Sequence, residues 1–200
     1  MLRVLLMAAL IGLWPTGPAA APQEASRRDA DSLERKLTTV LERGAKPPVR
    51  ASKPLRTPIS DREVNAYFMY QGKDVLPIGV LNPNLSILDV SRVEAKAVLD
   101  LDAVRKAKER VWSDPLSWVT GTLEIRAIGR LAAANGKGTF QLESATLGGV
   151  PIPKSLVQEL VAHYSRTPDS PNGFDLDQPF NLPHQIRQVE LQRGAAVIVQ

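Results

Sequence analysis

Apolar and polar residues alternate over two long stretches of the chain, a pattern typical of β-strands with one buried face. In "VSRVEAKAVLDLD" every second residue from Val93 to Leu101 is apolar. In "GTLEIRAIGRLAAANGKGTFQLESATLGG" one alternating run begins at Leu123, and a return run passes through Phe140. Between them stands Asn135-Gly136, a dipeptide typical of two-residue hairpin turns. These stretches predict long antiparallel strands.

Several of the predicted inward-facing residues are small, namely Ala95, Ala97, Ala127 and Gly129. On a strongly curved sheet such residues leave room above the strands. That room suits either a packed helix or a ligand.

The first segment with helical spacing is "DADSLERKLTTVLERG". We predict that Asp31 or Ser32 caps its start and that Gly44 ends it. Its apolar stripe consists of Leu33, Leu37, Val40 and Leu41.

The second helical segment is "ISDREVNAYFMYQGK". Ser60 and Glu63 have the spacing of a capping box, and Gly72 is a suitable C-terminal residue. The predicted buried stripe consists of Val64, Tyr67 and Phe68.

A short helix is predicted from Ala103 to Val111, with Asp102 as its cap. A longer amphipathic helix is predicted in "VPIPKSLVQELVAHYSR", with Pro153 in its first turn. Its stripe consists of Leu156, Val157, Leu160, Val161 and Tyr164. The chain closes with "NLPHQIRQVELQRGAAVIVQ", a second predicted hairpin that turns within residues 192–195. Its last strand is either internal to the sheet or packed against the helix predicted in "VPIPKSLVQELVAHYSR".

The N-terminal residues 1–21 have the pattern of a signal peptide: Arg3, a short apolar run, and small residues at a cleavage site near Ala21. The apolar run is shorter than the roughly 20 residues of a membrane span. We therefore expect export to the periplasm or the extracellular space. The sequence has no cysteine, so the protein must be stabilised by its core rather than by disulfides.

The remaining sequence divides into residues 22–58, an amphipathic helix with a Pro-rich basic linker, and residues 59–200, the main domain. The net charge is +4, but the excess lies in residues 22–58, with nine basic and five acidic residues. The domain has fifteen basic and sixteen acidic residues, which argues against nucleic-acid binding. Lys46, Arg50, Lys53 and Arg56, within residues 46–56, could bind an anionic membrane surface or cell-wall polymer. A solvated linker is the commoner explanation.

Candidate catalytic residues are few. Without cysteine there is no thiol chemistry, and the two histidines, His163 and His184, lack partners at the spacing of a zinc site. Two Asp-Leu-Asp sequences could each place two carboxylates on one face of a strand, for calcium or for acid-base catalysis. They consist of Asp100 with Asp102 and Asp175 with Asp177. A capping role for Asp102 and a solvated turn for Asp175 and Asp177 are the preferred explanation, and we predict no enzymatic activity, metal or cofactor.

Two segments resemble a known family. They are "FNLPHQIRQVELQRGAAVIV", Phe180 to Val199, and "GVPIPKSLVQELV", residues 149–161. They resemble small bacterial envelope proteins of the tubular lipid-binding superfamily, related to the bactericidal/permeability-increasing protein. The resemblance implies a highly curved sheet around a long helix, with acyl chains in the groove between them. The Pro-rich arm and the short chain depart from that pattern.

We therefore predict an α+β fold in which a highly curved antiparallel sheet, a half-barrel, wraps around one or two helices, with a flexible N-terminal arm. The predicted function is binding of a lipid or other apolar small molecule in a groove. The expected lining is Val93, Ala95, Leu99, Leu123, Ile125, Phe140 and Leu142, with Leu160 and Tyr164 as a lid. One alternative is an envelope structural or interaction protein with a packed core, whose arm helix binds a partner through Leu33, Leu37 and Leu41. A hydrolase using an Asp-Leu-Asp pair is the third hypothesis.

Overall fold

The computed structural model describes residues 26–47, 53–72, 76, 78–107, 120–166 and 171–200. The helices are α1 (Arg27–Ala45), α2 (Asp61–Tyr70), α3 (Leu101–Ala107) and α4 (Lys154–Tyr164). The strands are β1 (Arg56–Ser60), β2 (Val80–Ile87), β3 (Arg92–Asp100), β4 (Thr122–Ala134), β5 (Lys137–Leu147), β6 (Val150–Pro151), β7 (Phe180–Asn181), β8 (Gln188–Gln192) and β9 (Ala195–Val199). The predicted signal peptide, residues 1–21, and part of the predicted linker, residues 48–52, lie outside the described residues.

The strands form one curled antiparallel sheet, which confirms the predicted α+β half-barrel. Its main path runs β1–β9–β8–β4–β3–β2. One edge of β4 pairs with β5, while the other edge pairs with β3 and then bridges to β8 at Ala133 and Val189. The turn between β8 and β9 reaches the far strand, because Gly194 N donates to Ile87 O at 2.8 Å. This contact draws the two ends of the sheet together.

The predicted β4–β5 hairpin is confirmed, with its turn at Asn135 and Gly136. Both residues have positive φ, 54° and 75°, as a type I′ turn requires. The register shifts between Ile128 and Gly129, so that Glu143 is an extra residue in β5. Such a bulge increases the local twist and contributes to the curl.

The C-terminal strand is internal to the sheet, between β1 and β8, as one of the two predicted alternatives stated. The hairpin turns at Arg193 and Gly194, within the predicted residues. Gln200 is 4 % exposed, and its backbone exchanges two hydrogen bonds with Leu55. Its side-chain amide also donates to Val40 O at 2.9 Å and to His184 O at 2.6 Å. The final residue is therefore fixed by both backbone and side chain.

The first helix is longer than predicted and packs against the body. Its cap is Ser26, which forms a capping box with Asp29, rather than Asp31 or Ser32, because the helix starts about one and a half turns earlier. Leu33 and Val40 are buried, whereas Leu41 is 48 % exposed. The helix contacts α2 and β1. The strand β1 spans the boundary between residues 58 and 59 that the sequence suggested, so this boundary does not separate two structural units.

The capping box of α2 is confirmed, with Ser60 as the cap and Glu63 as its partner. The predicted buried stripe is wrong in detail. Val64, Tyr67 and Phe68 are half-buried, whereas the buried residues of α2 are Glu63 and Ala66. The reason is that α2 faces α1 as well as the sheet.

The cap of α3 is also corrected. Ala103 N donates to Asp100 Oδ1 at 2.9 Å, so Asp100 caps this helix, while Asp102 accepts from Gly121 N at 3.1 Å. The helix begins at Leu101, which is 2 % exposed, and residues 108–111 of the predicted helix lie outside the described residues. In α4, Pro153 is the N-cap residue rather than part of the first turn.

Candidate functional site

The strand register places the predicted groove residues on one face of the sheet. Directly paired residues of antiparallel strands point to the same side. Across β3, β4 and β5 these pairs are Leu99 with Leu123, Ala97 with Ile125, Ala95 with Ala127, Val93 with Gly129, Gly129 with Leu142, and Leu131 with Phe140. All seven strand residues predicted to line the groove therefore share this face. We call it the concave face, because the helices pack on it.

The opposite face carries the charges. Glu94 lies there between Arg126 and Lys96, and its side chain is 8 % exposed. Burial alone would raise the pKa of Glu94, but hydrogen bonds from Lys96 and Arg126 lower it below the usual value. Glu143, the bulge residue, forms ion pairs with Arg92 at 3.0 Å and with Arg130 at 2.5 Å. The sheet is thus apolar on one side and carries the ion pairs of Glu94 and Glu143 on the other.

Helix α4 covers one part of the concave face. Val157 of this helix, Ala145 of β5 and Leu176 form a buried cluster, each 5–6 % exposed. The surrounding apolar side chains include Phe140 and Leu142 of the predicted lining. These two residues are therefore packed by the protein itself rather than open to a ligand along their whole length.

The helices α1 and α2 cover another part. Asn65 of α2 holds the edge strand β2 with two hydrogen bonds, from Leu85 N to Oδ1 at 2.7 Å and from Nδ2 to Leu85 O at 2.9 Å. Ile59 of β1, 7 % exposed, continues the apolar face through its pairing with Ala196. Both α1 and α2 contact β1.

Between these two covered parts, the concave face is less enclosed. Ala95 is exposed, although its partner Ala127 is half-buried. The neighbouring predicted lining residues Val93, Leu99, Leu123 and Ile125 are half-buried. We call these five residues, Val93, Ala95, Leu99, Leu123 and Ile125, the open patch.

Two aromatic rings lie directly on glycines of the concave face. A Cβ added to Gly129 would be 2.3 Å from Cζ of Phe140, and one added to Gly138 would be 2.3 Å from Cζ of Phe180. Phe180 also contacts Phe174 edge to face, with 5.2 Å between the ring centres. Both glycines are therefore required by close packing rather than by backbone conformation.

The predicted lid is only partly described. Leu160 is half-buried in α4, and the side chain of Tyr164 lies outside the described residues. The contacts of α4 with the buried cluster are made by Val157 and Val161. The side chain of His163 also lies outside the described residues.

The Asp-Leu-Asp residues have structural contacts. Asp100 caps α3, and Asp102 accepts a hydrogen bond from Gly121 N just before β4. Asp175 accepts from Asp177 N at 2.9 Å, and Asp177 forms an ion pair with Lys154 at the start of α4. Within the part of the chain that the structure describes, no three His, Asp or Glu side chains are grouped as a metal site would require.

Sequence reasoning missed the residue that holds the C-terminal end of α1. Gln185 donates from Nε2 to the carbonyls of Gly44 at 2.8 Å and Lys46 at 2.6 Å, at the C-terminal end of α1. Gln185 and His184 both have positive φ, 59° and 53°. The sequence Leu-Pro-His-Gln suggests a turn, but nothing in it indicates that Gln185 binds the end of α1.

Comparisons with known proteins identify no relative. No family model, curated protein or solved structure matches this chain. Among the helices in the described ranges, none is long and apolar enough to cross a bilayer.

Proposed function

We propose that this protein is an exported, non-enzymatic binding protein that holds a lipid acyl chain or another apolar ligand against the open patch. The observation that supports the proposal most is that the apolar concave face leaves Ala95 exposed to solvent. Its cross-strand neighbours Leu85 and Ala127 are half-buried, while helices cover the same face on either side. An apolar ligand would remove this surface from water, at about 25 cal/mol per Å².

The charge distribution supports the same side of the sheet. The concave face carries apolar side chains over β3 and β4, whereas the ion pairs of Glu94 and Glu143 lie on the other face. A long alkyl chain on the concave face would therefore meet no unpaired charge among the open-patch residues. A polar ligand would gain little there, because these side chains offer no hydrogen-bond donors or acceptors.

The interaction-protein alternative remains a second hypothesis, with a structural cost. It requires Leu33, Leu37 and Leu41 to be available to a partner. Leu33 is 4 % exposed against the body, and only Leu41 is largely exposed. Partner binding through this stripe would therefore require α1 to detach from α2. The basic side chains within residues 46–56 are proposed only as an auxiliary contact with an anionic membrane surface or cell-wall polymer. One of them, Arg56, lies in β1 and already pairs with Glu190.

The test uses two matched alanines. Ala95→Phe places a ring on the open patch, while Ala132→Phe places the same ring on the opposite face of β4, where Ala132 is also exposed. The measurement is binding of a fluorescent fatty acid to delipidated protein. If the new ring displaces two or three methylenes, Ala95→Phe weakens binding by roughly 2 kcal/mol, or about thirtyfold.

Ala132→Phe should bind like the wild type, because its ring lies on the charged side. Equal weakening in both variants would locate the ligand elsewhere. If the wild type neither carries lipid after purification nor takes up the fluorescent fatty acid, the proposal is wrong.

A further inference from the structure

The ring of Phe140 crosses from β5 onto β4. Phe140 is paired with Leu131, yet its Cζ lies over Gly129, two residues nearer the N-terminal end of β4. The ring therefore lies diagonally across the concave face. Its contacts with the buried cluster around Val157 fix it on the side of α4.

This position borders the open patch. Gly129 is paired with Val93 of β3, and the next row on the same face is Ala127 with Ala95. Rows on one face are two residues apart, or roughly 7 Å along a strand. The ring over Gly129 thus occupies the row beside the exposed alanine and forms a boundary between the packed and open parts.

We propose that Phe140 determines the length of alkyl chain that the protein prefers, by ending the apolar surface along which the chain lies. This inference rests on the proposed function, since it requires an alkyl chain on the open patch. It goes further in assigning specificity to one side chain. The ligand class is an unbranched acyl chain, whether from a free fatty acid or from a phospholipid.

The first variant is Phe140→Leu, which shortens the boundary and keeps an apolar side chain in the cluster. Displacement of a fluorescent fatty acid by saturated fatty acids, from decanoic to eicosanoic acid, gives the affinity at each chain length. We expect the optimum to move to longer chains, with a gain of about fourfold for each methylene that enters the new space. The same series with lysophospholipids distinguishes free fatty acids from phospholipids.

The control is Phe180→Leu. Phe180 also lies over a glycine, Gly138, but that glycine pairs with Ala133, four residues farther along β4 than Gly129. The Phe180→Leu variant loses comparable packing without altering the row beside Ala95. Its chain-length profile should match that of the wild type.

A second variant acts in the opposite direction. In Gly129→Ala the new methyl group would overlap the ring of Phe140 and lie 2.9 Å from the backbone O of Gln141. We expect this overlap to push the ring off the sheet, toward the open patch. The optimum should then move to shorter chains. If the wild type binds fatty acids but neither variant shifts the optimum, Phe140 has no such role and the proposed function stands. If the wild type binds no chain of any length, the proposed function fails, and this inference fails with it.

Discussion

The ion pair between Lys36 of α1 and Glu63 of α2 provides the sharpest test of how the first helix is held. Lys36 Nζ lies 2.7 Å from Glu63 Oε1 and 2.9 Å from Oε2. The two side chains are 29 % and 10 % exposed, respectively. Glu63 Oε1 also accepts from Ser32 Oγ at 2.6 Å, and Oε2 accepts from Ser60 N at 2.9 Å. The carboxylate therefore joins α1, α2 and the end of β1.

The perturbation that tests this ion pair is Lys36→Met, which keeps most of the aliphatic side chain and removes the charge. Exposed ion pairs contribute about 0–1 kcal/mol, whereas breaking a buried pair costs about 3–5 kcal/mol. Because Glu63 is nearly buried and Lys36 is partly exposed, we expect a loss of roughly 2 kcal/mol at pH 7. Urea denaturation, with the free energy of unfolding taken from the linear extrapolation, measures it.

The pH dependence separates charge from packing. Burial alone would raise the pKa of Glu63, but the hydrogen bonds from Lys36, Ser32 and Ser60 and the lysine charge lower it below the usual value of a glutamate. A lowered carboxyl pKa stabilises the folded state above the ordinary pKa, and this contribution is lost as the pH falls through the folded-state value. The difference between wild type and Lys36→Met should therefore shrink as the pH falls through the lowered folded-state pKa of Glu63.

The control is Arg35→Met, which removes a positive charge from an exposed position of the same helix. We expect a change within about 0.5 kcal/mol. A Lys36→Met loss that is equally large at pH 7 and in acid would refute the argument, because it would arise from packing rather than from the ion pair.

Two further predictions concern contacts between distant parts of the chain. Gln185→Ala should cost about 1–2 kcal/mol of unfolding free energy, because it removes both side-chain hydrogen bonds to the end of α1; Gln188→Ala, exposed on β8, is the control. Asn65→Ala should cost about 2–3 kcal/mol and accelerate hydrogen exchange of the Leu85 amide, because this backbone N–H loses its acceptor at the edge of the sheet.

Each has a contradicting result. If Gln185→Ala unfolds at the same urea concentration as Gln188→Ala, the contact with α1 contributes nothing. If the Leu85 amide exchanges at the wild-type rate in Asn65→Ala, another group protects this edge.

Local patterns predicted much of the fold because they depend on nearby residues. The alternation in β3 and β4 reports that one face is apolar, and Asn135-Gly136 supplies the positive φ angles that the turn needs. The capping box of Ser60 and Glu63 is likewise complete within four residues. The same capping box did not reveal that Glu63 would also bind Lys36, which is 27 positions away in sequence.

What the sequence by itself determined is therefore the type of most elements and the apolar side of the long strands, whereas β1 falls largely within the predicted linker. Tertiary structure decided which part of that side is covered. Ala95, Ala127 and Ala145 form one row across three strands, yet they are exposed, half-buried and 5 % exposed. The local sequence pattern is the same for all three alanines, so it cannot predict that their exposed fractions differ. They differ because α4 packs over β5, where Val157 and Ala145 share a buried cluster, and that placement depends on contacts between residues far apart in the chain.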